Sequence, residues 1–334
     1  MQTIKVNGKE IGTFGLGLMG LTWRQNVIPD EQAFELLNYA ISRGVNFWNA
    51  GEFYGIDPIE ANLDLLARYF TKYPENADKV FISVKGATDP QTLGPCGDRA
   101  SVTKSVNNVL KHLRGVKKLD LFECARVDAR VPIEETMQVL KEFVDEGKIG
   151  CIGLSEASAS SIRKANSILP IAMVETEYSM WSLDIEQNGI LKACAELNIP
   201  IVAYSPFASG FLTGTIKTEE DLKRAAESQN KTMLDRFKPE NFRKNKVCLD
   251  ALEALAASFS MTLSQLALSF VLSNKEAAFV PIPGCTTAAR LKSNLDTLDH
   301  LLSEEQYQKV RDTLDQHPIH GKRYNEQLDK YLAI

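Results

Sequence analysis

The chain has 334 residues, 24% of them charged, and a formal net charge of −5. That length suits two ordinary domains or one large α/β barrel, with a large core in either case. Acidic and basic residues are mixed along the chain, which argues against nucleic-acid and membrane-surface partners, and the longest apolar runs are strand-sized, too short to span a bilayer.

Near the start, Val6-Asn7-Gly8-Lys9 sits between short apolar runs and predicts a hairpin with a type I′ turn. Phe14-Gly15-Leu16-Gly17 reads as a first barrel strand. Asp30 to Arg43 follows, with Ala33, Leu36, Leu37, Ala40 and Ile41 on one helical face and Gly44 as its stop. The second strand begins at Val45 and ends in a Gly-rich turn carrying Tyr54. The alternation then continues with helix 58 to 72 and strand 80 to 85, helix 101 to 113 and strand 119 to 125, and helix 133 to 146 and strand 149 to 154. Helix 158 to 167 precedes strand 172 to 177, helix 186 to 197 precedes strand 200 to 205, and a helical region near 247 to 273 precedes a last strand at 278 to 282.

Eight short strands, apolar on both faces and separated by helices, predict an α/β chain folded as one (β/α)8 TIM barrel over residues 1 to 334. Gly15-Leu16-Gly17-Leu18-Met19-Gly20 spells a dinucleotide fingerprint. No acidic residue ends a second strand about 20 residues later, so an open Rossmann sheet is the weaker reading. Two segments depart from the repeat. Residues 207 to 245 form a long polar excursion, and residues 303 to 334 a helix and a tail rich in His, Tyr and Lys. Both follow late barrel units and are expected over the C-terminal face, the excursion on the cofactor side, because barrel active sites lie there.

The candidate chemistry lies at two strand ends. Tyr54 lies just beyond the second strand, and Lys85 closes the third, Val80-Phe81-Ile82-Ser83-Val84-Lys85. Hydride addition to a carbonyl builds negative charge on oxygen and needs a proton donor. A tyrosine titrating near pH 10 (roughly) keeps its proton at neutral pH, and a nearby ammonium makes it a better acid. The alternative is a surface tyrosine and a snorkelling strand-end lysine.

Further pieces complete a pattern: Asn49-Ala50-Gly51-Glu52-Phe53-Tyr54-Gly55, Val131-Pro132-Ile133-Glu134-Glu135-Thr136, Ile152-Gly153-Leu154-Ser155, Glu177-Tyr178-Ser179, Ala203-Tyr204-Ser205-Pro206, and Pro281-Ile282-Pro283-Gly284 followed by Arg290 and Asn294. In this order, over essentially the whole chain, they resemble the aldo-keto reductases. The resemblance implies a barrel capped by the N-terminal hairpin that binds NADPH without a Rossmann fold and reduces carbonyls to alcohols. It implies Tyr54 as proton donor and Lys85 as its tuner. Arg290 would hold the 2′-phosphate of NADP, with Gly284 and Thr286 in the turn before it, and Asn294 the adenine. Tyr204 would stack on the nicotinamide, Ser205, Phe207 and Ser209 would follow the pyrophosphate, and Ser155 with Glu175 would meet the carboxamide.

The chain departs from the family at Asn49, where aspartate is usual, and at Ala125, where histidine is usual. Residues two apart on a strand share a face, so Glu123 lies one layer beneath Ala125. It is expected to replace the missing aspartate as countercharge for Lys85, with Asn49 orienting the lysine. Glu156 and Glu175 stand where asparagine and glutamine are usual; an ionised Glu175 accepts from the carboxamide but cannot donate to it. Trp48, Ala125, Arg126 and Trp181 are candidates for the substrate pocket, and packing is the alternative for either tryptophan. His112, His300, His317 and His320 lack ligand spacing, so no metal is expected.

Within the family, the missing histidine, the Phe122 to Asp128 segment and the Pro283-Gly284 turn most resemble the fungal pyridoxal reductases. The expected partner is therefore a small-molecule aldehyde, pyridoxal, whose own phenol can polarise the carbonyl where Ala125 cannot. Reduction of other aldehydes is one alternative. An NADPH-binding redox sensor with little turnover is another, and Asn49 and Ala125 favour it. Six scattered cysteines fit reduced thiols, and the N-terminus lacks the apolar core of a secretion signal, so a cytoplasmic location, with the nucleus also open, is expected.

Overall fold

Asn7 and Gly8 both take positive φ, 46° and 79°, and turn β1 (Thr3–Val6) back onto β2 (Lys9–Gly12) as an antiparallel pair. This is the type I′ geometry that the Asn-Gly pair predicts. The computed structural model describes residues 1–228 and 234–332.

Eight further strands are mutually parallel and pair in chain order: β3 (Leu16–Gly17), β4 (Phe47–Gly51), β5 (Phe81–Gly86), β6 (Leu119–Cys124), β7 (Ile149–Ser155), β8 (Ile171–Glu177), β9 (Ile201–Tyr204) and β10 (Phe279–Pro281). Gly17 bridges to Gly284 just beyond β10, and the Gly15 N–H donates to the Pro281 carbonyl at 2.9 Å. The sheet therefore nearly closes on itself, and with helices between successive strands it forms a (β/α)8 barrel. Among the described residues no single helix is long and apolar enough to cross a membrane.

Strand alternation sorts side chains into the barrel or onto its helical coat. The deepest interior layer holds Phe47, Phe81, Leu121, Cys151, Met173, Val202 and Val280, and Val6 and Ile11 of the hairpin cluster with it. The Asn7 amide donates to the Gly150 carbonyl at 2.8 Å and Lys9 pairs with Asp120 at 2.7 Å, so the hairpin is tied to the starts of β6 and β7. It thereby plugs the N-terminal end of the barrel. Above the apolar layer the interior turns polar, with Asn49, Ser83, Lys85, Glu123, Ser155 and Glu175 all buried. Chemistry is left the C-terminal mouth.

Several boundaries differ from those the sequence predicts. The region 247 to 273 is two helices, Pro239–Ser258 and Leu263–Ser273, bent by 85°. Ser260 takes a φ of 58° between them, and Thr262 with Gln265 forms a capping box that starts the second. Gly189, at φ 86°, splits 186 to 197 into Asp184–Gln187 and Ile190–Leu197. The helix expected from 58 begins at Ala61. The excursion 207 to 245 contains 3-10 turns at Ala208–Thr213 and Asp235–Phe237, helix Glu219–Ser228 and the first turns of Pro239–Ser258. Its residues 229–233 lie outside the described residues, as do 333–334 of the tail.

Candidate active site

Gly51 ends β4 as the register partner of Lys85 on β5. A Cβ on Gly51 would stand 2.8 Å from carbons of the Tyr54 ring, so a side chain there would stop that ring folding back over the strand end. The Tyr54 carbonyl accepts from Thr22 Oγ at 2.6 Å, and Trp23 stacks on the ring at 5.5 Å. Only 7% of Tyr54 is exposed. The Lys85 ammonium lies 5.8 Å from the ring centroid, close enough for its charge to act on the phenol. Burial pushes the phenol up to about 12, and Lys85 draws it down only in part. Tyr54 therefore keeps its proton across neutral pH, backed by a cation that stabilises the phenolate once the proton leaves.

Lys85 Nζ lies 2.5 Å from Glu175 Oε2, 2.9 Å from Asn49 Oδ1 and 3.5 Å from Glu123 Oε1. Asn49 Nδ2 donates to Glu175 at 2.6 Å and to Glu123 at 3.4 Å, and Ser83 Oγ donates to Glu123 at 3.0 Å. Burial opposes the ammonium's charge, but Glu175, Tyr54 and Glu123 outweigh it and raise the Lys85 pKa. Burial, then the neighbouring Glu175, push the Glu123 carboxyl up to about 8. The sequence suggested Glu123 as the carboxylate beside Lys85; the structure brings two carboxyls there, with Glu175 the nearer. Glu175, expected at a carboxamide, has Oε2 committed to Lys85 and Asn49.

The mouth is lined by a second buried network. Glu156 accepts both arms of the Arg323 guanidinium at 2.9 Å, and the Tyr204 hydroxyl donates to it at 2.8 Å. The Tyr324 hydroxyl meets that of Tyr204 at 3.1 Å. Glu177 accepts from Ser182 at 2.8 Å and lies 3.8 Å from Arg236 and 3.7 Å from Arg323. Burial raises the Glu156 pKa, but Arg323, helped by Arg126 and the Glu177 N–H, reverses this and holds the carboxyl below its ordinary range. Arg126 donates to the Ala125 carbonyl, and its charge is felt with Tyr204, Tyr324, Glu156 and Tyr54, which sets it at the same mouth. No carboxylate of the described residues forms an ion pair with it. Arg236, Arg323 and Tyr324 had no sequence signal beyond the composition of the excursion and tail.

Two polar atoms here are buried without a hydrogen-bond partner, Ser155 Oγ and Asn294 Nδ2. Buried polar groups are normally satisfied, so each is suited to a ligand atom. Asn294 lies on helix Ala288–Leu295, whose first turn presents Arg290, exposed and without an ion-pair partner among the described residues. Thr286 precedes that helix with its carbonyl accepting from Gln32 at 2.8 Å, and Gly284 holds the seam to Gly17. Glu156, Ser205, Ala208 and Ser209 take left-handed φ of 52°, 49°, 47° and 59° after β7 and β9. Such strain concentrates at functional sites. Phe207, between them, packs on the core. The orphaned Ser155 and Asn294 and the free Arg290 fit a phosphorylated dinucleotide carrying a carboxamide.

Trp48 is placed otherwise. Trp48 points outward from β4, fully buried, with its ring 5.9 Å from Phe70 and 5.4 Å from Tyr69 of helix Ala61–Lys72 and its N–H on the Val45 carbonyl. It packs the coat of the barrel and lines no pocket. Trp181 is 3% exposed and stacks on Phe211 at 4.8 Å, beneath the start of the excursion.

The Aldo/keto reductase family pattern matches residues 13–315. "Probable pyridoxal reductase 2" of Schizosaccharomyces pombe is 58% identical over 98% of this chain and 99% of its own. The NADP(+) aldo-keto reductase yakc of the same organism is 33% identical over 96% of this chain and 94% of its own. The solved glycerol dehydrogenase AKR11B4 of Gluconobacter oxydans superposes with a TM-score of 0.78 at 21% identity, covering 96% of this chain and 97% of that one, a likeness of fold.

Proposed function

Because the chain belongs to the aldo/keto reductase family, we propose that it reduces a small aldehyde to a primary alcohol with NADPH, and that the aldehyde is pyridoxal. The observation that carries the reaction is the Lys85 ammonium 5.8 Å from the buried Tyr54 ring at the mouth of the barrel. The substrate rests on the relative named as a pyridoxal reductase, 58% identical along nearly the whole chain.

Ser155, Tyr204 and Glu156 would face the nicotinamide end of the cofactor, and Arg290 and Asn294 its adenosine 2′-phosphate end. NADPH, when bound, supplies a hydride to the carbonyl carbon. The protein's part is the proton. As the substrate oxygen gains charge, Tyr54 Oη–H delivers its proton to it, and Lys85 stabilises the phenolate left behind. Ala125 offers no second donor, so the substrate's own phenol, adjacent to its aldehyde, polarises the carbonyl from within.

An aldehyde panel with NADPH consumption as readout tests this, run on wild type beside Tyr54→Phe. Rapid turnover of pyridoxal, lost in Tyr54→Phe, is the expected result; tight NADPH binding without consumption of any aldehyde would overturn it. Ala125→His should help ordinary aldehydes more than pyridoxal, and equal gains would remove the substrate's phenol from the mechanism.

A further inference from the structure

Two carboxyls and one ammonium meet inside the barrel, and their separations are unequal. Glu123 stands on β6 and Glu175 on β8, with β7 between them. The β7 residue paired with Glu123 is Gly153, where a Cβ would lie 3.3 Å from Glu123 Oε2 and 2.9 Å from Leu121 Cδ2. Both carboxyls converge on the Lys85 ammonium and the Asn49 amide. Two buried carboxylates beside a single buried ammonium would leave one charge uncompensated, so one of the two acids carries a proton. The question is which acid holds it.

We propose that Glu175 is the ionised countercharge that positions Lys85 behind Tyr54, and that Glu123 carries the proton of the carboxyl pair. This rests on the reading of Tyr54 as proton donor. Glu175 makes the short contact to the ammonium, 2.5 Å, and takes the Asn49 amide N–H at 2.6 Å, whereas Glu123 lies at 3.5 Å from the ammonium. Charge-assisted contacts of this length belong to the ionised partner. Burial and Glu175 push Glu123 up to about 8, in keeping with its holding the proton. The titratable groups that face the pair are Lys85 and Tyr54, while Asn49 and Ser83 supply neutral hydrogen bonds and the Cys124 thiol lies on the opposite face of β6.

Asn49 then has a physical reason. Its amide oxygen takes the ammonium at 2.9 Å while its N–H groups serve Glu175 and Glu123. An aspartate at 49 would set a third carboxyl on one ammonium and leave Glu175 without that donor. The departures at positions 49 and 175 are in this light one exchange, with the carboxylate moved across the barrel from β4 to β8. Glu175 is a positioning residue and touches no reacting atom.

The test compares Glu175→Gln, Asn49→Asp and the double variant in kcat, pH profile and NADPH binding by fluorescence. Infrared spectra of the same proteins record the carbonyl band of a protonated carboxylic acid. Glu175→Gln should lower kcat about tenfold or more and alter the pH profile with NADPH affinity unchanged, and Asn49→Asp/Glu175→Gln should recover most of both. The protonated band should be present in wild type, absent in Glu123→Gln, and absent in Glu175→Gln, where Glu123 becomes the only carboxylate left for Lys85. Weakened NADPH binding with kcat and pH profile untouched would overturn the proposal, since that is how a carboxamide ligand behaves. So would a protonated band that survives Glu123→Gln. Should Glu175→Gln not fold, the band in wild type and Glu123→Gln still decides the charge assignment. Tyr54→Phe, run in parallel, separates the two claims: full turnover without the hydroxyl removes the proton-donor reading, whereas the infrared result depends on the carboxyl pair alone.

Discussion

Arg323 donates both arms of its guanidinium to Glu156, 167 residues away in sequence, at 2.9 Å each. Arg323 is 10% and Glu156 1% exposed at the side chain, so this is a buried pair that fastens the tail across the mouth. Removing one partner strands the other's charge. Arg323→Met should lower unfolding free energy by about 3–5 kcal/mol, read by urea denaturation. Arg323→Met with Glu156→Gln should recover part of that loss, because no unpaired carboxylate remains.

Tyr54→Phe keeps the ring, its stacking on Trp23 and the clearance over Gly51, and removes only the hydroxyl. A general acid contributes about 10²–10⁴-fold. Single-turnover kinetics should show a fall of that size in reduction, with NADPH fluorescence titrating as in wild type.

Glu123 gives the fold a pH dependence of definite sign. Its folded value is about 8 against an ordinary 4.5, so between those pH values the folded state binds more protons than the unfolded chain. Stability from this group therefore declines as pH rises from about 4.5 through about 8. Glu123→Gln should flatten that decline in a series of melting temperatures across the window. A decline of unchanged slope would show that Glu123 does not hold its proton in the fold.

Arg290 tests the cofactor end. Exposed and without an ion-pair partner among the described residues, it is free for a phosphate. Hydrogen bonds to charged groups are worth about 1.5–3 kcal/mol, roughly tenfold to a hundredfold. Arg290→Met should raise KM for NADPH by that factor and leave KM for NADH, which lacks the 2′-phosphate, where it was.

Trp48 distinguishes packing from pocket. Its ring is enclosed by Tyr69 and Phe70, and emptying such a site costs about 3–5 kcal/mol. Trp48→Ala should lose stability on that scale in chemical denaturation while the folded fraction keeps its KM for the aldehyde. A raised KM at unchanged stability would return the indole to the substrate pocket.

Much of this protein follows from local rules that act over a few residues. Asn7-Gly8 can turn a hairpin because both residues tolerate positive φ, and repeated apolar runs between amphipathic helices leave a barrel as the arrangement that covers both sheet faces. Tyr54 and Lys85 stand at strand ends by their spacing alone. What the spacing leaves open is phase and partner. The run around Trp48 is apolar on both faces, so nothing in its pattern says which side meets the barrel interior; helix Ala61–Lys72 settles it. Glu123 and Glu175 both point inward, and only the folded barrel sets Glu175 at 2.5 Å from Lys85 and Glu123 at 3.5 Å. Arg323 and Tyr324 reach the mouth only because the tail returns over the barrel. Spacing along a chain governs backbone conformation, whereas the charge on a buried side chain is governed by whatever lies within a few ångströms, and only the folded barrel determines those neighbours.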